Sequence, residues 1–279
     1  METTDPLLER VLPVLAAVPG VAAVALGGSR ATGAAQAASD YDIGLYFNET
    51  VGLDVPRLLE VVRGLVDEPA AAHVTEVGGW GPWIVGGGWL EIAGKKVDLL
   101  YRPIESVETV IRACREGRVS MDYQPGHPHG FCSAIWMGEV ALCRSLVDAE
   151  GALAALKAMT CPYPDKLREA VIRLFQWEIL FAIENARTAV AREDQAYIGG
   201  CAFRSLACAA QVLFALNRRY LINEKGALGA AGQLPLTVGN LAERARSVWR
   251  AIGVGAFDAA LAELCAIERA VAALAGAAP

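Results

Sequence analysis

Residues 24–47 read VALGGSRATGAAQAASDYDIGLYF. An apolar run, Val21 to Leu26, ends in Gly27-Gly28-Ser29, and a short Ala/Gly-rich connection leads through Ser39-Asp40-Tyr41-Asp42 into a second apolar run, Ile43 to Phe47. The pattern predicts a strand, a glycine turn, a short helix and a second strand. Side chains alternate across a strand, so Asp40 and Asp42 share one face while Tyr41 and Ile43 take the other. Two carboxylates held side by side repel. They are tolerated when one is protonated or when a cation sits between them, and hard divalent ions such as Mg²⁺ take this kind of oxygen pair. The pair reads as half of a metal site.

The glycines upstream add the second half. Gly27 and Gly28 open backbone angles that other residues avoid, and Ser29 is placed to cap a helix whose free N–H groups bind phosphate oxygens. Phosphate with metal means phosphoryl or nucleotidyl transfer. These residues resemble the DNA polymerase β-type nucleotidyltransferases, whose signature is a hydrophobic residue, Gly-Gly or Gly-Ser, a spacer of about ten residues and Asp-x-Asp in a strand. Gly28-Ser29 and Asp40-Tyr41-Asp42 fit it, with residues 30–39 as the spacer, and Val97-Asp98-Leu99 matches the third carboxylate that the family carries on a later strand. Either motif alone reads as a surface turn. A turn with two exposed aspartates explains neither Ser29 nor Asp98.

A chain of 279 residues is long enough for one large or two ordinary domains. The net charge of -6 and the lack of a Lys/Arg run argue against an extended nucleic acid as the main substrate, and favour a small molecule or a protein side chain. The seven cysteines are scattered, odd in number and without a CxxC pair, which fits a reducing compartment. Val11 to Ser29 lacks charge, but Glu2, Asp5 and Glu9 precede it and Pro13, Pro19 and Gly20 interrupt it, unlike a signal or membrane segment. A cytoplasmic protein is expected.

Asp5-Pro6 opens a helix expected to reach Val18, and Val55 to Asp67 carries Leu58, Leu59, Val62 and Leu65 at helical spacing. Val77 to Trp89 is rich in Gly and Trp; it reads as a loop with aromatic anchors, with a base or substrate pocket as the other reading. Trp89 to Ile92 and Lys96 to Tyr101 flank a hairpin turn. A Gly94-Lys95 turn sets Glu91 opposite Asp98 and makes it an active-site candidate, whereas an Ala93-Gly94 turn sets it opposite Lys96. Glu105 to Gly117 predicts a helix, and Glu139 to Cys143 a last strand. QPGHPHG, residues 124–130, holds two histidines and reads as a loop rather than a zinc motif.

Past Gly151 strand signals end and amphipathic helices follow: 152–159, 163–192, 197–221, 236–252 and 257–274. The expected class is therefore α+β, a small mixed-sheet catalytic domain over 1–150 and a helical bundle over 151–279 that binds the acceptor. Glu178 and Glu184 lie in an apolar stretch, and either face a cleft or pair with Arg173, Arg187 and Arg204. Lys225 reads as the end of a helix or as a group that reaches a nucleotide phosphate.

The arrangement resembles antibiotic nucleotidyltransferases of the kanamycin and lincosamide type, with the motif likeness confined to residues 20–101. The resemblance implies two Mg²⁺ ions held by Asp40, Asp42 and Asp98, a nucleoside triphosphate such as ATP on Gly28, Ser29, Arg30, Ser39 and Lys225, and Asp98 helping to activate a substrate hydroxyl. AMP transfer to a small, aminoglycoside-like molecule is the expected reaction, with a cationic acceptor if Glu178 and Glu184 face it. Transfer to a protein or tRNA, or a non-catalytic nucleotide-binding role, are the alternatives. No membrane partner is expected, and a homodimer is left open.

Overall fold

The computed structural model describes residues 5–33, 36 and 39–277. Four spacer residues and Glu2 lie outside them. In chain order the elements are α1 (Pro6–Ala16), β1 (Val21–Leu26), α2 (Gly28–Thr32), β2 (Tyr41–Phe47), α3 (Val55–Arg63), β3 (Gly87–Ile92), β4 (Lys95–Pro103), α4 (Ile104–Arg115), β5 (Met121–Asp122), β6 (Phe131–Cys132), α5 (Ala134–Leu142), β7 (Arg144–Val147), α6 (Ala152–Thr160), α7 (Asp165–Ala189), α8 (Gln195–Leu216), α9 (Ala227–Ala231), α10 (Leu241–Gly253) and α11 (Phe257–Ala277). The α+β class holds: a mixed sheet comes first and long helices follow. Contacts divide the chain into two compact units, Met1–Arg112 with Trp136–Pro162, and Ala113–Ile135 with Tyr163–Pro279. The helical unit thus takes in residues 113–135, which the composition shift near residue 150 assigns to the first domain.

In the first unit the sheet runs β3-β4-β2-β1-β7. β2 lies at its centre, parallel to β4 and antiparallel to β1. One face is apolar and sealed: Ile43, Leu45, Val97, Leu99 and Tyr101 are fully buried. The other face carries Asp42, Gly44 and Tyr46 on β2 and Asp98, Leu100 and Arg102 on β4, by the alternation of the pleat.

The expected last strand is a correction. Glu139 to Leu142 belongs to α5, and the strand follows Cys143 at Arg144–Val147. Residues 134–142, AIWMGEVAL, are apolar nearly all round, so no helical stripe showed. Lys157 finishes that helix by donating to the carbonyls of Val140, Ala141 and Cys143 at 2.9, 3.1 and 2.6 Å.

The β3–β4 turn is Ala93-Gly94, with Ile92 paired to Lys95 and Glu91 to Lys96. Both turn residues have positive φ, 52° and 64°, as a type I′ turn requires. Asp67 clamps it: its two carboxylate oxygens accept the Ala93 and Gly94 N–H groups, each at 2.7 Å. Those bonds, Gly94's first, hold the Asp67 carboxyl below its usual range.

In the helical unit α7 and α8 form the central pair, with α10 and α11 against them. By length and composition α8 could span a membrane, but 56% of its apolar window is buried, as suits the middle of a bundle.

A lowered carboxylate stabilises the fold above its unfolded pKa, and the contribution is lost as pH falls through the folded value. Asp67→Ala should therefore lower Tm at neutral pH and flatten the acid side of the Tm–pH curve. Ala93→Gly, which relieves a left-handed alanine, should raise stability by about 0.5–1 kcal/mol in urea unfolding.

Candidate active site

The parallel β2–β4 ladder pairs Asp42 with Asp98. Partners in neighbouring strands lie about 4.8 Å apart with side chains on the same face, so the two carboxylates stand side by side. Both are half-buried, while Asp40, one residue before the strand, is exposed. Trp89 occupies the place opposite Asp98 on β3. This corrects one expectation: Glu91 sits two pairs nearer the turn, exposed and beside Lys96, because Asp67 fixes the other register.

Glycine brings the backbone against this pair. A Cβ on Gly28, whose φ is +60°, would lie 1.8 Å from Asp42 Oδ2, and the Gly27 N–H donates to the Asp42 carbonyl at 2.7 Å. The N-terminus of α2 therefore starts in contact with the carboxylate. Gly27 is the N-cap and no side chain caps the helix, so Ser29 lies inside the first turn rather than at the cap position expected for it.

Arg30 and Ser39 hold the entrance to the acid strand. Arg30 donates to the Ser39 carbonyl through Nη2 at 2.6 Å and Nε at 3.1 Å, and to the Asp40 carbonyl at 3.2 Å. Its guanidinium also covers the Tyr41 ring at 3.8 Å, and the Tyr41 hydroxyl donates to Asp5 at 2.8 Å. The Arg30 donors given to carbonyls here are not aimed at a phosphate. The Ser39 hydroxyl accepts the Gln36 N–H.

Arg102 carries no signal of its own in the sequence, yet it is the buried cation of this face. It is 4% exposed and meets Glu139 on α5 through two parallel bonds, at 2.8 and 2.9 Å. Burial works against its charge, but Glu139, and more weakly Tyr46 and Asp42, keep its pKa above the ordinary value. Among the tryptophans, Trp80 stacks on Trp89 at 4.7 Å and 21°. Trp83 packs edge-on against Trp136 and accepts its indole N–H. A Cβ on Gly87 would strike the Leu99 carbonyl at 1.8 Å and press on Trp80, so this glycine lets the Trp-rich segment lie on the sheet. Trp89 itself is 72% exposed, an open aromatic face in the row of the acids.

Neither of two prominent cavities is lined by the aspartates. One of about 590 Å³ lies at the far end of β2 and β4, around Phe47 and Pro103, and one of about 160 Å³ lies in the helical unit. The donor set suits a hard cation: carboxylates on adjacent strands, with backbone amides beside them.

Residues 8–119 match the family described as a nucleotidyltransferase domain. This segment is similar to nucleotidyltransferase domains. It contains the glycine turn, β2, the β3–β4 hairpin and all three aspartates. Residues 137–225 match a domain of unknown function, DUF4037. No curated protein matches the chain. Among solved structures, a nucleotidyltransferase-like protein from Exiguobacterium sibiricum 255-15 is similar at a TM-score of 0.44 and 10% identity, over 94% of this chain and 73% of that one.

The residues expected outside this domain fall elsewhere. Glu178 is bound by Arg204 at 2.7 Å and Glu184 by Arg187 at 3.3 Å, so both carboxylates are closed into salt bridges with bundle arginines. That removes the support for a cationic acceptor. Lys225 is exposed, and its backbone N–H caps onto Asn223.

Gly28→Ala should cost at least about 1–2 kcal/mol in chemical denaturation from the left-handed backbone alone. The Asp42 contact adds to that cost, whereas Gly33→Ala, which meets nothing within 4 Å, should cost no more than the backbone term. Glu139→Gln leaves the Arg102 charge buried without its counter-ion and should lower stability by about 3 kcal/mol.

Proposed function

We propose that the protein transfers a nucleoside monophosphate, AMP from ATP, to a hydroxyl of a small molecule in a Mg²⁺-dependent reaction. The observation that carries this reading is the register of β2 and β4, which sets Asp42 beside Asp98 with Gly28 against them. Asp42 and Asp98, joined by Asp40, would hold Mg²⁺. When bound, the metal supplies charge neutralisation of the triphosphate and makes a nearby hydroxyl easier to deprotonate.

The other roles belong to the chain. The backbone amides of Gly28 and Ser29 lie beside Asp42 and offer donors to phosphate oxygens. Trp89 offers an aromatic face to a base or a ring of the acceptor. Asp98 takes the proton from the acceptor hydroxyl as its oxygen attacks the α-phosphorus. The bond to the β-phosphate oxygen breaks, and pyrophosphate leaves with the electron pair. A general base of this kind is typically worth about 10²–10⁴-fold in rate. The acidic net charge and the scattered basic residues favour a small acceptor over tRNA.

Incubation with each labelled nucleoside triphosphate, Mg²⁺ and a panel of hydroxylated acceptors, including aminoglycosides and lincosamides, tests the reading. Label should pass to an acceptor with release of pyrophosphate. Asp42→Asn and Asp98→Asn should each abolish transfer, and the melting temperature should stay level or rise because like-charge repulsion is relieved. An Asp42→Asn enzyme with normal turnover overturns the metal assignment. An Asp98→Asn enzyme rescued by high Mg²⁺ overturns the base assignment.

A further inference from the structure

The helical unit gathers three side chains that the reaction above does not use. His129 lies in the loop between β5 and β6, Glu178 on α7 and Cys208 on α8, and their ligand atoms all lie within 4.8 Å of one another. Cys208 Sγ is 3.5 Å from His129 Nε2 and 3.4 Å from Glu178 Oε2. Zinc bonds of about 2.0–2.3 Å at tetrahedral angles separate their donors by roughly 3.5 Å. Two edges, from Cys208 to His129 and from Cys208 to Glu178, have that spacing, and the third lies within 4.8 Å.

The surroundings are built to hold these groups. His129 is buried, its ring rests against Phe175 with centroids 5.6 Å apart, and its backbone N–H donates to Glu224 at 3.1 Å. The other oxygen of Glu224 meets His127 Nδ1 at 3.1 Å, so the loop is pinned at two points. Glu178 Oε2 is oriented by Arg204 Nε and Nη2, at 2.9 and 2.7 Å, the kind of outer contact that fixes a carboxylate ligand.

We propose that His129, Glu178 and Cys208 form a zinc site with water as the fourth ligand. An imidazole, a carboxylate and a thiolate together select zinc over the hard cations that suit Asp42 and Asp98. Of the three ligands His129 also borders the 160 Å³ cavity, with Gln211, Asn223 and Glu224. On binding, the Cys208 S–H bond gives way to an S–Zn bond and its proton passes to solvent.

Metal-stripped full-length protein titrated with Co²⁺ reads the site directly. We expect a thiolate-to-cobalt charge-transfer band with tetrahedral d–d bands, saturating at one equivalent and displaced by Zn²⁺. Cys208→Ser should abolish the charge-transfer band, His129→Gln should weaken binding at least 10-fold, and Asp42→Asn should leave both unchanged. Should Cys208→Ser fail to fold, wild-type protein still decides: Zn²⁺ should protect Cys208 from alkylation mapped by mass spectrometry. A wild type without the charge-transfer band, a band that survives in folded Cys208→Ser, or unprotected Cys208 overturns the site.

Discussion

The repulsion between Asp42 and Asp98 is the constraint on which the first unit turns. Two unit charges about 5 Å apart at an effective dielectric near 20 cost on the order of 3 kcal/mol, a large share of the stability of an ordinary domain. The parallel ladder fixes the two Cα positions as partners and sends both side chains to the same face. Part of the cost is offset by the buried guanidinium of Arg102, which feels the Asp42 charge and is itself held by Glu139. A divalent cation would offset more, and an acid pair kept in register despite its repulsion is what such an ion needs.

The surrounding structure serves that register. Asp5 caps α1 with one carboxylate oxygen and receives the Tyr41 hydroxyl on the other, which ties the start of β2 to the first helix. Arg30 lies on Tyr41 and grips the carbonyls just upstream. On the far side Asp67 locks the β3–β4 turn, and through it the placement of Trp89 next to Asp98. Polar groups that seem peripheral thus decide where the two central carboxylates stand.

Much of this was legible in the chain because it is local. The glycine turn, Asp-x-Asp, the hairpin and the long helices follow from spacing alone, and the nucleotidyltransferase match covers the first three. Three things were not legible, for separate reasons. The hairpin register depended on a carboxylate 26 residues upstream, at Asp67. Residues 134–142 are apolar on nearly all sides, with Glu139 the exception, so periodicity could not tell helix from strand. Cys208, 79 residues beyond His129, meets it only through tertiary packing, so the loop showed no partner cysteine.

The central claim is that Asp42 and Asp98 share a metal beside Gly28. Anomalous diffraction from crystals grown with Mn²⁺ and a non-hydrolysable nucleoside triphosphate tests it most directly. The account predicts a manganese peak between the two carboxylates, with the triphosphate oxygens on the metal and near the Gly28 and Ser29 amides. A triphosphate bound elsewhere, or manganese that avoids both aspartates, would contradict it.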